Sequence, residues 1–361
     1  MKKPKWLKTT PVKKYLSHQV ARLFFFCTAF LYKSGNKILI VSTDGLGDAV
    51  VRLSLVDQIA NHNGRDRVIV LTKKLAIPLY DSINVKYIEY GEGHKTNFFK
   101  RCIMSIKINS MGVQDVYCLH FIFDEYLLDV LKARNKIGYK NRVNAKFDKQ
   151  FTHVLPIHEY VGESIMSFAE YIGLDFTDMD NRKLLPNKEK IYDFPYVVVA
   201  VGASSFDRMI RRTNMVAILK SLLPLIIANQ GKIVFVGNGL KEVNYTRWLV
   251  DKLGGEHVIN DVGKYSLSDT IALVNECHLL IGFDSGLYNL SFSLQRPTIC
   301  LAANNHIFLH YRPWVKIVHG SGEVFGDEDG FGCDKTNSIT PEQVLVAYHE
   351  MMAVDIAPLH A

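Results

Sequence analysis

The chain has 361 residues, 48% of them hydrophobic, and a formal charge of +7. That length and apolar content give room for two ordinary domains with full cores and exclude a disordered chain. Residues 1–36 hold eight Lys or Arg and no acid, and subtracting those eight from the 43 basic residues leaves 35 against 36 acidic ones, so a near-neutral body speaks against nucleic acid as a partner.

The charged extension reads VKKYLSHQVARLFFFCTAFLYKSGNK from Val12, with Val12, Leu16, Val20, Leu23, Cys27 and Phe30 at helical spacing. Its solid apolar part, 23–32, is too short to span a bilayer, and no small-x-small cleavage site follows Tyr32. A secretory signal, a helix packed on the body and a basic helix lying on an anionic membrane face all remain open. The last fits both the charge and the aromatics.

From residue 37 strands and helices alternate. Strands are predicted at 37–42, 67–72, 85–90, 113–120 and 136–139, with helices between them such as 49–61 and 98–111. After a polar stretch near 175–193 a second series begins, with strands at 196–202, 231–237, 257–260, 279–283 and 297–302. Its helices are expected at 214–229, 241–253, 266–277, 285–294 and 341–351, the last with Pro341 in its first turn. The alternation predicts an α/β fold of two Rossmann-like domains, with parallel sheets facing across a cleft. The expected division is an extension at 1–36, a first domain at 37–180, a second at 190–340 and a terminal helix and tail at 341–361.

Six cysteines occur without a C-x-x-C pair, so neither a zinc cage nor a disulfide framework is expected; they read as small buried hydrophobes. In the first domain ILIVSTDGLGDAVV passes from a strand through Asp44, Gly45, Leu46, Gly47 and Asp48 into a helix. The third glycine of a dinucleotide fingerprint is replaced by Val50, and the second strand ends in VLTKK without an acid for a ribose. Both observations disfavour a nicotinamide-dependent oxidoreductase. Asp48 at a helix start stays ionised and can accept a proton, while a plain capping role for Asp48 or Asp44 explains the spacing equally well.

In the second domain VGASSFDRMIRR follows a strand. Ser204 and Ser205 can donate to a phosphate, and Arg208, Arg211 and Arg212 can neutralise one. GFDSGLYNL also follows a strand, with Asp284, Ser285 and Gly286 leading into a helix N-terminus suited to phosphate oxygens. Glu242, in VGNGLKE between them, can bond a ribose. These loops together point to a nucleotide-diphosphate site. No His/Asp cluster at metal spacing lies in these loops, so arginine and a helix dipole would stabilise a diphosphate leaving group. His306 and His310 sit four apart and read as loop or rim residues.

The motifs resemble the heptosyltransferases of lipopolysaccharide core assembly, glycosyltransferase family 9. Ser42 to Asp48 matches T-S-S-L-G-D, Gly202-Ala203-Ser204 with Arg211 and Arg212 matches G-A-S with its basic residues, and Gly263 to Leu267 matches G-K-x-S-L. Asp284 to Asn289, running on to Pro297, is similar to D-T-G-x-x-H-x-A-A-A-x-x-x-P, and Cys333 with Ile339 to Val344 resembles the family's late element. The resemblance implies a GT-B architecture, inversion at the anomeric carbon, no metal and no bound cofactor, and ADP-heptose as donor. It implies Asp48 as catalytic base, with Asp44, Gly45 and Gly47 forming the acceptor-side turn. Arg211 or Arg212 would meet the diphosphate and Glu242 the ribose. Lys264 and the backbone around Tyr265 would lie by the base, and Ser204, Ser205, Asp284, Ser285, Gly286, Leu287 and Asn289 by the phosphates and sugar. Departures are Asn289 for the family's histidine, Asp44 for a serine, Thr213-Asn214-Met215 where a tryptophan is usual, and the extension itself.

The implied partners are a nucleotide sugar, a lipid-linked oligosaccharide acceptor and, through residues 1–36, an anionic membrane. The implied location is the cytoplasmic face of a bacterial inner membrane, as a peripheral protein. Alternatives are another nucleotide sugar, a protein acceptor, or a non-catalytic nucleotide-sugar binding module. The absence of a cysteine-rich metal motif counts against the protein-modifying branch.

Overall fold

A computed structural model of the chain describes residues 19, 32–121, 125–140, 145–177, 179–185, 188–303, 308–322 and 330–353. The helix expected in the extension lies almost wholly outside these residues, as do Cys27 and His306. The described residues form two compact units that interleave along the sequence. One takes the chain up to Asp44, Leu55–Ile157 and Ser167–Phe176, and the other takes Gly45–Ser54, His158–Met166 and the chain from Thr177 onward.

The first unit is built on six parallel strands: β1 Lys37–Ser42, β2 Val68–Thr72, β3 Lys86–Glu89, β4 Val113–Cys118, β5 Asn135–Tyr139 and β6 His153–Leu155, in the order β3-β2-β1-β4-β5-β6. Strands β1 and β2 are buried almost throughout, as a sheet covered on both faces requires. Leu39, Val41, Leu71, Val116 and Cys118 meet Ile108, Leu127 and Leu128 in one core. Each such side chain contributes about 1.5–3 kcal/mol when withdrawn from water. The helices up to this point are α1 Leu46–Val51, α2 Leu53–Asn63, α3 Ile77–Ser82, α4 Glu92–Thr96, α5 Phe98–Asn109 and α6 Glu125–Val130, followed by α7 Val161–Tyr171.

The second unit repeats the plan. Its strands are β7 Tyr196–Ala200, β8 Lys232–Val236, β9 Val258–Asn260, β10 Leu279–Phe283, β11 Thr298–Ala302 and β12 Val315–His319, all parallel in the order β12-β11-β10-β7-β8-β9. Its remaining helices are α8 Arg212–Ala228, α9 Leu240–Leu253, α10 Leu267–Glu276, α11 Gly286–Ser293, α12 Asp334–Asn337 and α13 Pro341–Met352. Helix α13 starts on a capping box, with Thr340 Oγ1 accepting from Gln343 N, and Pro341 follows where no N–H is needed.

One expected element changes and three others were not expected. The helix predicted at 49–61 is two helices broken at Arg52, a fully buried residue. Asn181 Nδ2 donates to the Val50 carbonyl (2.8 Å), the acceptor that a continuous helix would offer to the N–H of residue 54. Strands β6 and β12 and helix α7 were not among the predicted elements. β6 is three residues long, and β12 is five residues whose apolar run is interrupted by Lys316 and ends at His319.

Candidate active site

In each sheet the chain order reverses beside the first strand, between β1 and β4 and between β7 and β10. Loops leaving the carboxyl ends of such neighbouring strands diverge and leave room for a ligand. In the second unit one such loop follows β7 and carries Ser204 to Arg212, and the other follows β10 and carries Asp284 to Gly286. An ion pair joins them: Arg208 Nη1 lies 3.2 Å from Asp284 Oδ2. Ser285 is the extended N-cap of α11, and its Oγ is buried with no hydrogen-bond partner. A buried hydroxyl left so costs about 1–3 kcal/mol, which a bound acceptor or donor group would recover.

The Asp48 turn belongs to this same unit. Asp48 Oδ2 accepts from the Gly45 N–H (3.1 Å), the half of a capping box that a glycine N-cap allows at the start of α1. The capping role open from the sequence is therefore present. A carboxylate accepts about four hydrogen bonds, so this one contact does not by itself preclude the role of a base. Glycines set how close this turn comes to α11. A Cβ added at Gly286 would stand 3.4 Å from Gly47 N, and one added at Gly47 would stand 2.7 Å from Asn289 Nδ2. Asp48 is thus held one residue from the segment that carries Asp284, Ser285 and Asn289.

Asn289 cannot easily give way. Its Nδ2 donates to Ser285 O (2.9 Å) and its Oδ1 meets His310 Nε2 (2.9 Å). Gly47→Ala is accordingly expected to cost about 1–3 kcal/mol, since the methyl must displace a side chain fixed at both ends. Chemical denaturation of the variant checks this, and an unchanged midpoint would show that Asn289 moves freely.

His310 corrects the expectation of a rim residue. It is fully buried, with its ring stacked on Phe292 at 3.5 Å between centroids. Because Asn289 Oδ1 can only accept, Nε2 carries the proton, and Nδ1 accepts from Tyr160 Oη (3.0 Å). The His310 N–H donates to Tyr288 Oη (2.6 Å). Burial, reinforced by Arg312, pushes the His310 pKa down to about 3, and burial pushes Tyr160 up to about 12. The result is a neutral chain of hydrogen bonds from Tyr160 through His310 to Asn289, ending against Gly47.

At the ends of β7 and β8 the Glu242 carboxylate lies over two glycines. A Cβ at Gly202 would come within 3.0 Å of Oε1, and one at Gly239 within 2.5 Å of Oε2. Glu242 stands in the first turn of α9, where a carboxylate is favoured. Past β9, Lys264 Nζ pairs with buried Asp261 (2.9 Å), which also accepts from Tyr192 Oη; Tyr192 is in turn bonded to Tyr265. Ser204 is exposed, while the Ser205 hydroxyl bonds Asp207 and holds that carboxyl below its usual range. Among the arginines, Arg211 is buried with its N–H on Asn337 Oδ1 (2.7 Å), and the Arg212 guanidinium lies over Trp248 and Phe331 at 5.3 and 5.6 Å. Arg208 is bonded to the β10 loop. Leu287 lies half-buried in the first turn of α11.

In the first unit the corresponding reversal holds Asp44 and His120. Asp44 Oδ1 is 3.5 Å from His120 Nδ1, and Thr43 Oγ1 is 3.3 Å from the same nitrogen. His120 and Tyr160 escaped the sequence reading because no local motif contains them, and His310 reads there as a rim residue for the same reason. Among the described residues no three His, Cys, Asp or Glu gather as a metal site, and the five described cysteines are free.

Two parallel-sheet units, with a helix start and the Glu242 carboxylate at the strand ends of one, define an α/β protein of two Rossmann-like units. Comparison with known proteins specifies it. The model of glycosyltransferase family 9 (heptosyltransferase) matches residues 126–322, more than half of the chain. Lipopolysaccharide heptosyltransferase 1 of Campylobacter coli is 30% identical over 247 residues, 64% of this chain and 69% of that protein. The chain belongs to glycosyltransferase family 9 and is a glycosyltransferase. Its fold, the GT-B pairing of Rossmann-like units, is shared with two solved structures. The family 9 glycosyl transferase from Veillonella parvula has a TM-score of 0.67 and 15% identity, over 89% of this chain and 99% of that one. The E. coli heptosyltransferase WaaC with ADP-2-deoxy-2-fluoro heptose has a TM-score of 0.65 and 15% identity, over 87% and 99%.

Proposed function

We propose that the protein transfers a heptose from ADP-heptose to a lipopolysaccharide core acceptor, with inversion and without a metal ion. The observation that carries this reading is the junction of the Asp48 turn with the start of α11, which sets a carboxylate beside an anion-ready helix start. Asp48 takes the proton of the acceptor hydroxyl, the freed oxygen bonds to the anomeric carbon, and the bond from that carbon to the phosphate oxygen breaks. The proton leaves Asp48 to solvent and ADP departs. Its charge is met by Arg208, by the N–H groups opening α11 and by the Ser285 hydroxyl. Arg211 and Arg212 support the same loop from behind, Ser204 and Ser205 border it, and Glu242 holds the ribose. Lys264 and Tyr265 flank the base, and Leu287 and Asn289 line the sugar side. Asp44, Gly45 and Gly47 shape the acceptor turn.

The named relatives support the donor and the acceptor: one is a lipopolysaccharide heptosyltransferase and another holds an ADP-heptose analogue. A lipid-linked acceptor and the basic extension support a location on the cytoplasmic face of the inner membrane as a peripheral protein. Calorimetric titration with ADP, UDP and GDP, with and without magnesium, tests the donor. ADP is expected to bind alone and equally in both buffers, and Glu242→Ala to weaken it about tenfold, the worth of a charge-assisted hydrogen bond. A preference for UDP or GDP would replace the donor.

A further inference from the structure

Helix α9 carries a cation where its own dipole disfavours one. Lys241, exposed, is its second residue, and no side chain caps its start at Gly239. Among the described residues no carboxylate pairs with Lys241. Its Nζ lies instead over the ring of Phe206, 3.8 Å from the centroid. A ring attracts an ammonium without cancelling its charge, so Lys241 remains a whole positive charge drawn toward the loop after β7. A lysine so placed gains most from an anion that comes to it from outside the chain.

A second observation gives that anion a chemistry. Phe206 stands two residues before Arg208, directly after Ser205, in the loop that follows β7. Its ring meets Phe331 edge-on at 5.2 Å, and its carbonyl accepts from the Gly332 N–H (2.8 Å), so ring and backbone are both held from the segment at 331–332. On the helix side the next residue is Glu242, whose carboxylate lies over Gly202 and Gly239. Lys241 therefore reaches from the carboxylate proposed for the ribose to the loop proposed for the phosphates. The arginines there are already engaged: Arg208 lies 3.2 Å from the Asp284 carboxylate, and Arg212 lies over Trp248 and Phe331. A diphosphate carries more negative charge than one carboxylate-paired arginine offsets.

We propose that Lys241, drawn over Phe206, is a further donor-binding residue that meets the diphosphate of the nucleotide sugar. This rests on the donor reading above and adds to it a cation that no sequence motif supplies. The flexible lysine stem lets the ammonium exchange the ring for a phosphate oxygen, and the ring takes it back once the nucleoside diphosphate has left.

Calorimetric titration of the full chain with ADP, AMP and adenosine tests it. Lys241→Gln is expected to weaken ADP about tenfold, the loss of one charge-assisted hydrogen bond, to weaken AMP less, and to leave adenosine unchanged. The loss for ADP should shrink at high salt, and Lys241→Arg should restore most of the affinity. Lys241 is exposed, so the fold should survive the change, and the urea midpoint checks that. Unchanged ADP affinity in Lys241→Gln, with ADP bound normally by the wild type, would overturn the proposal alone and leave Lys241 as a staple on Phe206. An equal loss for adenosine would overturn it too, because a cation on the diphosphate does not act on the nucleoside. A wild type that binds no ADP would overturn it together with the donor reading.

Discussion

Asp48→Asn is expected to lower kcat by about 10²–10⁴-fold, the range that a positioned general base contributes, with ADP affinity within about twofold of wild type. Asparagine is the informative replacement. Its amide oxygen can still accept the Gly45 N–H that now goes to Oδ2, so the cap on α1 survives while the base is lost. Asp48→Ala removes both and should add about 1 kcal/mol of instability without a further large loss of rate. Steady-state kinetics beside chemical denaturation separates the two roles. Near-normal turnover in Asp48→Asn would reduce this carboxylate to a cap.

His310→Leu is the second large effect. It strands Asn289 Oδ1 and Tyr160 Oη inside the protein and is expected to cost about 2–4 kcal/mol near neutral pH. The pH dependence identifies the cause. The folded pKa of about 3 lies below the ordinary 6.5, so between those values the unfolded chain binds a proton that the folded chain refuses. Stability is fully present above pH 6.5 and falls as pH drops toward 3, by up to about 1.4 kcal/mol per pH unit. The leucine variant lacks this loss, so its urea midpoint should decline less steeply on acidification. Parallel slopes for the two proteins would show that His310 is not held neutral. Turnover should fall as well, because Asn289 then no longer props the Gly47 turn from a fixed position.

Much of this could be read from the sequence because strongly buried parallel strands write themselves as unbroken apolar runs. β1 and β10 occupy the residues expected of them, 37–42 and 279–283, and the turns that follow them carry the recognisable motifs. β6 and β12 had no such run. The break at Arg52 was invisible because its cause, Asn181, lies far along the chain. The same holds for the support of the candidate site. Asn289 reads as a departure from the family's histidine, yet an imidazole still sits against it, supplied by His310 from a coil 21 residues further on. Spacing could list Arg208, Arg211 and Arg212 together, but only the fold distinguishes the one on Asp284 from the one on Trp248.

The most direct measurement is transfer itself. ADP-heptose and a purified lipooligosaccharide core acceptor are incubated with the protein in excess EDTA, and the product linkage is read by NMR. The account predicts stoichiometric ADP and an acceptor extended by one heptose with inverted anomeric configuration, at a rate that added magnesium does not change. Retention of configuration, or transfer that appears only when a divalent ion is restored, would contradict it.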